Sequence, residues 1–519
     1  MSEDLLLAID AGTGSCRAVL FSLEGRQVAV GQREYSHREL SDVPGSQVFD
    51  TDGNWRLICE CIAEALKSVD GGADAVKAVS ATSMREGMVL YDARGDEIWA
   101  CPNVDSRAGE EASELVASGA AQDIYDVAGD WVSITAPARF RWIATRDPDV
   151  FASVAHVGML GDWVVKKLSG EFITDPSLGS SSGMFDLGAR EWSDRVLEIC
   201  GLDRSVFPPV IEPGTVAGAL SRDAAVETGL RKGTPVVVAG ADTQLALLGI
   251  GVTEPGQFTV VGGTFWQQTV VLDEPLIDPQ SRLRTLCHTV PGRWMMEGIG
   301  FYCGLVMRWF RDAFCQPEKM EAQQRGLDVY ELLEQKAADV PAGANGVFGI
   351  FSNLMQASHW VHASPSFLGF DIGNPERAGR GECIRAIEES AAYVSRGHRE
   401  IVEEVAGLAI DHAILTGGAA KGALWPQILA DVLAIPVRIP AVSESTALGA
   451  AVYAGIGAGL FADAASTARD MARFERTVEP GAAVAEYEDL YPRWLELYRR
   501  SLELCEDELV RPLWRAAGT

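Results

Sequence analysis

Three acids and one arginine in this chain sit where chemistry can be done. Asp10 closes the apolar run LLLAID and is followed by Gly12, Thr13, Gly14 and Ser15. Backbone N–H groups of so small a turn can approach phosphate oxygens, while the carboxylate organises a hydrated magnesium ion. The stretch has neither the third glycine and helix of a Rossmann fingerprint nor the Lys-Ser/Thr of a Walker loop, and a plain hairpin turn is the competing reading. Asp242 follows a second apolar run, VVVAGADTQLA. An acid at a buried strand end is costly unless it binds metal, pairs or accepts a proton, so Asp242 reads as the general base that takes a hydroxyl proton during phosphoryl transfer from ATP. A helix N-cap is a compatible alternative. Arg85 and Glu86, in SATSMREGMVLY, form a donor and acceptor pair suited to an oxygen-rich small molecule, with a surface pair as the other reading. Neighbours on a regular strand face opposite ways, so both reach one ligand only where the strand ends or bulges, which Gly87 permits.

Two further glycine turns follow apolar runs. In VVGGTF, Gly262, Gly263 and Thr264 can cradle phosphate; in LTGGAAKG, Gly417 and Gly418 leave backbone bare for a flat adenine. Each is weak alone, but three such turns in this order, each after a strand, make coincidence a poor explanation.

These residues need strands to hold them. Alternation from Cys16 to Phe21 and the Glu24-Gly25 step before QVAVGQREY predict an antiparallel meander of the first three strands. The stretch 234–251 followed by 256–272 reads as an echo of that opening, implying two related halves facing a cleft. Helices are expected at GDWVVKKLSG, GLVMRWFRDAF and GECIRAIEESAAYVSRGHREIVEEV, and in a Trp- and Tyr-studded tail from about Glu479. The Met307 to Phe310 stripe reads as helix packing. Asp105 and Arg107 read as pocket wall or, by preference, an interdomain salt bridge, and HWVH (359–362) as structural rather than metal-binding.

The chain has 519 residues, 73 acids against 44 bases and a formal charge of -29. That length asks for two domains, and that charge argues against nucleic acid or an anionic membrane as partner. An anionic ligand therefore needs local help from amides, a metal or a few arginines. Ten scattered cysteines without zinc spacing, and an MSED start unlike a signal peptide, point to a reducing, cytoplasmic setting. The apolar run Ala447–Ala462 holds four glycines and is too short to span a bilayer; it reads as a buried helix of small residues.

DAGTGSCR (10–17), AGADTQ (239–244), VGGTF (261–265), TGGAAKG (416–422) and ESTALGAA (444–451) together resemble the FGGY carbohydrate kinases. The resemblance implies an α/β fold of two ribonuclease-H-like domains, of the actin, hexokinase and Hsp70 superfamily, around an ATP and substrate cleft. It divides the chain into a substrate- and phosphate-binding domain, 1–250, and an adenosine-binding domain with a helical tail, 251–519. It implies ATP and magnesium as cofactors, with Asp10 and Asp242 at the metal. Asp242 would be the catalytic base, and Arg85, Glu86, Asp242 and Gln244 would hold the substrate. Gly12, Thr13, Gly14, Ser15, Arg17, Gly263, Thr264, Gly304, Gly417 and Gly418 would hold the nucleotide. The runs SMREGMVLY, WACPNVDSRA, GGTFWQQ, MRWFRDAFC, GALWPQILADV and LWRAAG are similar to a narrower branch, whose members phosphorylate the terminal hydroxyl of the signalling dione 4,5-dihydroxypentane-2,3-dione. A pentulose or polyol kinase, acting on xylulose, ribulose or glycerol, is the nearest alternative; a nucleotide-gated binding protein is a more distant one. Such kinases also imply a sugar-transport phosphocarrier as regulatory partner. GDW (129–131) departs from the Gly-Gln that the family commonly has there, which puts one substrate contact in question. Oligomeric state is left open.

Overall fold

The computed structural model describes residues 3–442 and 444–517; the Met1-Ser2 start and Gly518 of the closing LWRAAG run lie outside them. The first half opens with the expected meander, β1 (Leu5–Ala11), β2 (Ser15–Ser22) and β3 (Gln27–Glu34), with Asp10 opposite Arg17. Gly25 turns the β2–β3 hairpin at φ 79°, a conformation that favours glycine. Next come α1 (Thr51–Lys67), β4 (Val76–Ser83), β5 (Val216–Ala219), β6 (Pro235–Val238) and α2 (Asp242–Gly249). The sheet order is β5-β6-β4-β1-β2-β3, with β4 parallel to β1 and β6 parallel to β4. In the central strand β1, Leu5 to Ile9 are all buried, as expected for a strand covered on both faces.

The second half begins with β7 (Phe258–Gly262), β8 (Trp266–Leu272), β9 (Arg284–Cys287) and β10 (Trp294–Phe301). It continues through α3 (Cys303–Phe314), α4 (Val329–Ala338), α5 (Arg380–Ala406), β11 (Ala413–Thr416) and α6 (Leu424–Leu433). The last elements are β12 (Val437–Pro440), α7 (Ser445–Gly457), β13 (Phe474–Val478) and α8 (Val484–Glu506). The second sheet runs β9-β10-β8-β7-β11-β12-β13. Here β7 pairs antiparallel with β8 and parallel with β11, as β1 does with β2 and β4. The echo is real, but its unit starts at β7. The apolar run before Asp242 is β6, a strand of the first sheet, because Val236 to Val238 pair with Val79 to Ala81.

The small-residue run after Ser445 is the helix α7, and it folds back onto the first sheet. Leu448, Ala451 and Val452 share one core with Leu6, Ala8 and Val237. Two glycines allow α7 to lie directly on α2: a Cβ at Gly249 would stand 2.0 Å from the Ser445 carbonyl oxygen, and one at Gly449 2.1 Å from that of Leu245. Backbone contact of this kind ties the end of the second half to the helix that begins with Asp242. The aromatic tail is α8, in which Tyr487, Trp494 and Tyr498 are buried and Trp494 stacks on Tyr498 at 5.4 Å.

Candidate active site

Asp10 ends β1 where the chain must turn at once into β2. Gly12 N–H donates to the Ser15 carbonyl at 3.0 Å, closing the turn. The turn is braced from outside: Tyr35 N–H donates to the Gly14 carbonyl, the Tyr35 hydroxyl to that of Gly12, and Thr13 Oγ1 to Asn103 Oδ1. Gly14 is exposed, with no atom within 4 Å of a Cβ added there, so this face of the turn is open to a ligand.

Asp242 is the first residue of α2, and the cap position belongs to Ala241. The N-cap reading is therefore displaced by one residue, although Asp242 Oδ1 still accepts from the Thr243 N–H at 2.6 Å. Burial lifts the Asp242 carboxyl to about 6, with Arg85 opposing and Glu86 adding. Asp10 is lifted further, to about 7, by burial and by the Asp242 charge, with Arg17 opposing. Asp10 Oδ1 is buried with no hydrogen-bond partner. Two acids raised by burial, one of them raised further by the other and holding an unpartnered oxygen, fit a hard cation. No group of three or more His, Cys, Asp or Glu side chains that could hold a metal occurs among the described residues. A pair of carboxylates that leaves other positions to water and phosphate suits magnesium.

Arg85 and Glu86 lie just past the end of β4, and Glu86 adopts φ 60°. This break in the strand is what lets neighbours act on one space. Both are buried and already paired. Arg85 makes a bidentate contact to Glu297 on β10, at 3.0 and 3.2 Å, while its Nε stands 4.0 Å from Asp242 Oδ1. Glu86 accepts from Arg284 on β9 at 3.0 Å. Arg284 is 1% exposed and also holds Glu297 at 2.6 Å and Asp130 at 3.2 Å. Asp130, of the divergent GDW, is thus part of a buried network joining the two halves; burial raises its carboxyl to about 6 against the pull of Arg284. Breaking such a network by removing one member costs about 3–5 kcal/mol, because a buried charge is left alone. Gln244 is fully buried and its amide donates to the Cys287 carbonyl at 3.3 Å, which places it behind the cleft wall in another contact between halves.

The second and third glycine turns meet. Gly417 has φ 84°, and a Cβ there would lie 2.6 Å from the Gly262 carbonyl oxygen. Gly304, at the start of α3, would place a Cβ 2.0 Å from the Gly263 carbonyl oxygen. Bare backbone is what lets these segments converge. They border a groove of about 540 Å³ whose lining includes Gly263, Thr264, Gly304, Arg308, Gly418 and Lys421. Arg308 donates to Thr264 Oγ1 at 3.3 Å. The stripe at 307–310 is therefore only half packing: Met307 and Phe310 are buried in one core cluster, Trp309 is exposed, and Arg308 lines the groove beside Met307. Neither Asp10 nor the Gly12–Ser15 turn borders this groove, which belongs wholly to the second half. Arg17 instead pairs with Glu444 at 2.7 Å, just ahead of α7.

Asp105 and Arg107 pair with each other at 2.7 Å, and Arg107 lies over Trp99 and Trp142. Every partner is in the first half, so the interdomain salt bridge expected there is a local one. In HWVH, His359 pairs with Glu506, and His362 is buried and lowered to about 3.

Sequence reasoning missed Arg284, Glu297 and Arg308. For Arg284 and Glu297 the available signal was a charge inside an otherwise apolar strand, as in LRTLC and WMMEGIG, where burial demands a partner.

Comparison with known proteins agrees with this geometry. Residues 5–249 match the N-terminal domain of the FGGY family of carbohydrate kinases, and residues 259–458 match its C-terminal domain. An autoinducer-2 kinase of Enterobacter sp. strain 638 is 45% identical over 517 residues, covering 99% of this chain and 97% of that protein. One of Yersinia enterocolitica is 46% identical over 521 residues, covering 100% and 98%. The crystal structure of xylulose kinase from Rhodospirillum rubrum superposes with a TM-score of 0.85 at 28% identity, over 96% of this chain and 98% of that one.

Proposed function

The chain belongs to the FGGY family of carbohydrate kinases, and on that premise we propose that it transfers the terminal phosphoryl group of ATP to the terminal hydroxyl of the autoinducer-2 precursor, 4,5-dihydroxypentane-2,3-dione. The observation that carries phosphoryl transfer is the pair Asp10 and Asp242, each raised by burial and Asp10 raised further by Asp242, one with an unpartnered oxygen. The substrate follows from identity of 45–46% along essentially the whole chain to enzymes named for that signal.

Asp242 accepts the proton of the attacking hydroxyl. Its elevated carboxyl, at about 6, is a stronger base than an ordinary aspartate yet stays largely ionised above neutrality. Arg85 donates to carbonyl or hydroxyl oxygens of the substrate, and Glu86 accepts from a hydroxyl, both held in place by Glu297 and Arg284. Gln244 acts from behind, by fixing β9 against α2. Gly12, Thr13, Gly14 and Ser15 with Arg17 form one phosphate jaw, and Gly263, Thr264 and Gly304 form the other. Gly417 and Gly418 give the adenosine a flat floor. Asp10 and Asp242 would hold magnesium through oxygen, and the ion would neutralise charge on the phosphates. The working division is then 1–250 for substrate and phosphate and 251–519 for adenosine. Catalysis rests mostly on positioning, since phosphoryl transfer leaves little covalent work to the protein.

No helix of the described residues is long and apolar enough to cross a membrane, and an enzyme that consumes ATP has its working place in the cytoplasm. The test is mass spectrometry of products after incubation with ATP, magnesium and the dione beside xylulose, ribulose and glycerol. A dione 5-phosphate formed in preference is the expected result. Preferred phosphorylation of a ketose or polyol would overturn the substrate, and no phosphorylated product from any of them would overturn the kinase reading.

A further inference from the structure

The groove of the second half is lined by unlike residues. Gly263, Thr264 and Arg308 offer amides, a hydroxyl and a positive charge. Met307, Leu333 and Trp425 add apolar surface, and the Trp425 indole stacks on Trp266 at 5.1 Å and 17°. The same lining holds an acid, Glu388 of α5. It is 4% exposed, lines the groove, and its Oε2 has no hydrogen-bond partner. The neighbouring acid Glu334, on α4, is already engaged: it accepts from the N–H groups of Ala423 and Leu424 at the start of α6. Glu388 of the groove therefore carries an unmet bonding demand, and an unmet buried polar group destabilises the fold unless a ligand meets it.

We propose that Glu388 reads the base of the nucleotide, exchanging hydrogen bonds with the exocyclic amino group of adenine and the ring nitrogen beside it. The inference rests on the reading of this groove as the adenosine site. Adenine presents a donor, the amino N–H, next to an acceptor, a ring nitrogen. A neutral carboxyl presents the complement, one acceptor beside one O–H donor, whereas a carboxylate offers acceptors only. The surroundings favour the neutral form. Burial raises the Glu388 carboxyl well above its ordinary range, Glu334 and Glu389 add to this, and only Arg385 opposes it. Arg385 is itself engaged by Glu389 and Tyr487, which limits its pull. A floor under the base meets its face and not its edge, so Glu388 supplies an edge contact that a floor at Gly417 and Gly418 does not.

The test compares ATP with purine riboside triphosphate, which lacks the amino group, in direct binding titrations and in KM with the dione as acceptor. The wild type is expected to hold ATP about tenfold more tightly than the analogue, the worth of one good hydrogen bond. Glu388→Leu should bring the two nucleotides to within about twofold, and Glu388→Gln, whose amide keeps one donor beside one acceptor, should preserve the preference. A merely structural role would weaken both nucleotides alike and leave the ratio unchanged in the Leu variant. An unchanged ratio there overturns the proposal. So does a wild type that binds ATP and the analogue equally, which needs no variant to fold. A wild type that binds neither nucleotide would instead remove the adenosine site itself, and this proposal with it.

Discussion

Replacing Asp10 by Asn should make the metal-free protein more stable while destroying its activity. Asp10 is an acid with no hydrogen-bond partner for Oδ1, moved from its ordinary 3.8 to about 7. A folded-state value raised above the unfolded one means that the native state binds the proton more tightly. The resulting stability is fully present below about pH 4 and is lost as pH rises through about 7. At ~1.4 kcal/mol per tenfold, the ionised carboxylate costs the fold up to about 4 kcal/mol above pH 7. Asp10 is only partly shielded from solvent, and screening brings this to about 2 kcal/mol. Asn has the same shape without the charge, so thermal unfolding in EDTA at pH 8 should rise by about 2–4 °C, the lower figure if the chain unfolds as one unit. At pH 4 the gain should vanish. Adding magnesium and ATP should reverse the order, because ligand that binds only the native wild type stabilises it by mass action. An Asn variant that melts below wild type in EDTA at pH 8 would show that Asp10 is held by unseen structural bonds, and the argument for a cation site would fall with it.

Further outcomes follow from the same geometry. Asp242→Asn should leave ATP binding, read by titration calorimetry, within a few-fold of wild type and lower kcat by at least about 10³; near-normal turnover would exclude Asp242 as base. In the wild type, kcat/KM, which reports the free enzyme, should fall as pH drops through about 6, since protonation of Asp242 removes the acceptor, and a kcat/KM profile flat down to 5 would count against it. Gly304→Ala forces a Cβ to within 2.0 Å of the Gly263 carbonyl oxygen, so KM for ATP should rise by about tenfold or more while binding of the dione alone, read by calorimetry, is little changed. Arg284→Met leaves Glu86, Asp130 and Glu297 without their shared partner; urea unfolding should show a loss of about 3–5 kcal/mol near neutral pH, with part of it recovered as the medium is acidified.

The parts of the site that sequence makes visible are those whose chemistry leaves a local mark. Asp10, Gly12 to Ser15, Gly262 to Thr264 and Gly417 to Gly418 each combine an apolar strand with residues too small to obstruct a ligand, and such a pattern is contained in about ten residues. The meander β1–β3 was likewise legible, because alternation and a Glu-Gly turn act between neighbours. The network around Arg85 left no such mark. Its contacts join residues 212 and 198 positions apart, and no local spacing encodes a meeting between the end of β4 and strands β9 and β10. Glu388 was concealed for a different reason. In IEESAAY it looks like one of two charges on a solvated helix face, but helix α5 is buried along most of its circumference, so that face meets the groove of the second half instead. The boundary of the repeat was misread because β6 and β7 are both short apolar strands before a Gly-containing turn, and only their pairing partners tell them apart.

The two groups of buried charge in the cleft differ in a way that matches what the proposed function has each of them hold. Glu86 and Glu297 are matched by Arg85 and Arg284, whose charge is permanent, and Asp130 shares Arg284 with them as a third acid. Asp10 and Asp242 have little such support: Arg17 is turned toward Glu444, and Arg85 reaches Asp242 only at 4.0 Å. A neutral dione brings no charge with it, so its grip has to be balanced before it arrives. A nucleotide comes with its own cation, so the acids that receive it gain from being left unbalanced, at a cost to the empty protein. That cost makes the empty cleft the weaker state and puts part of the binding energy of the metal and nucleotide into relieving repulsion between two carboxylates. In a chain with a formal charge of -29, an anionic ligand is admitted because the positive charge it needs is either localised, at Arg308 and Lys421 on the groove wall, or carried in with it.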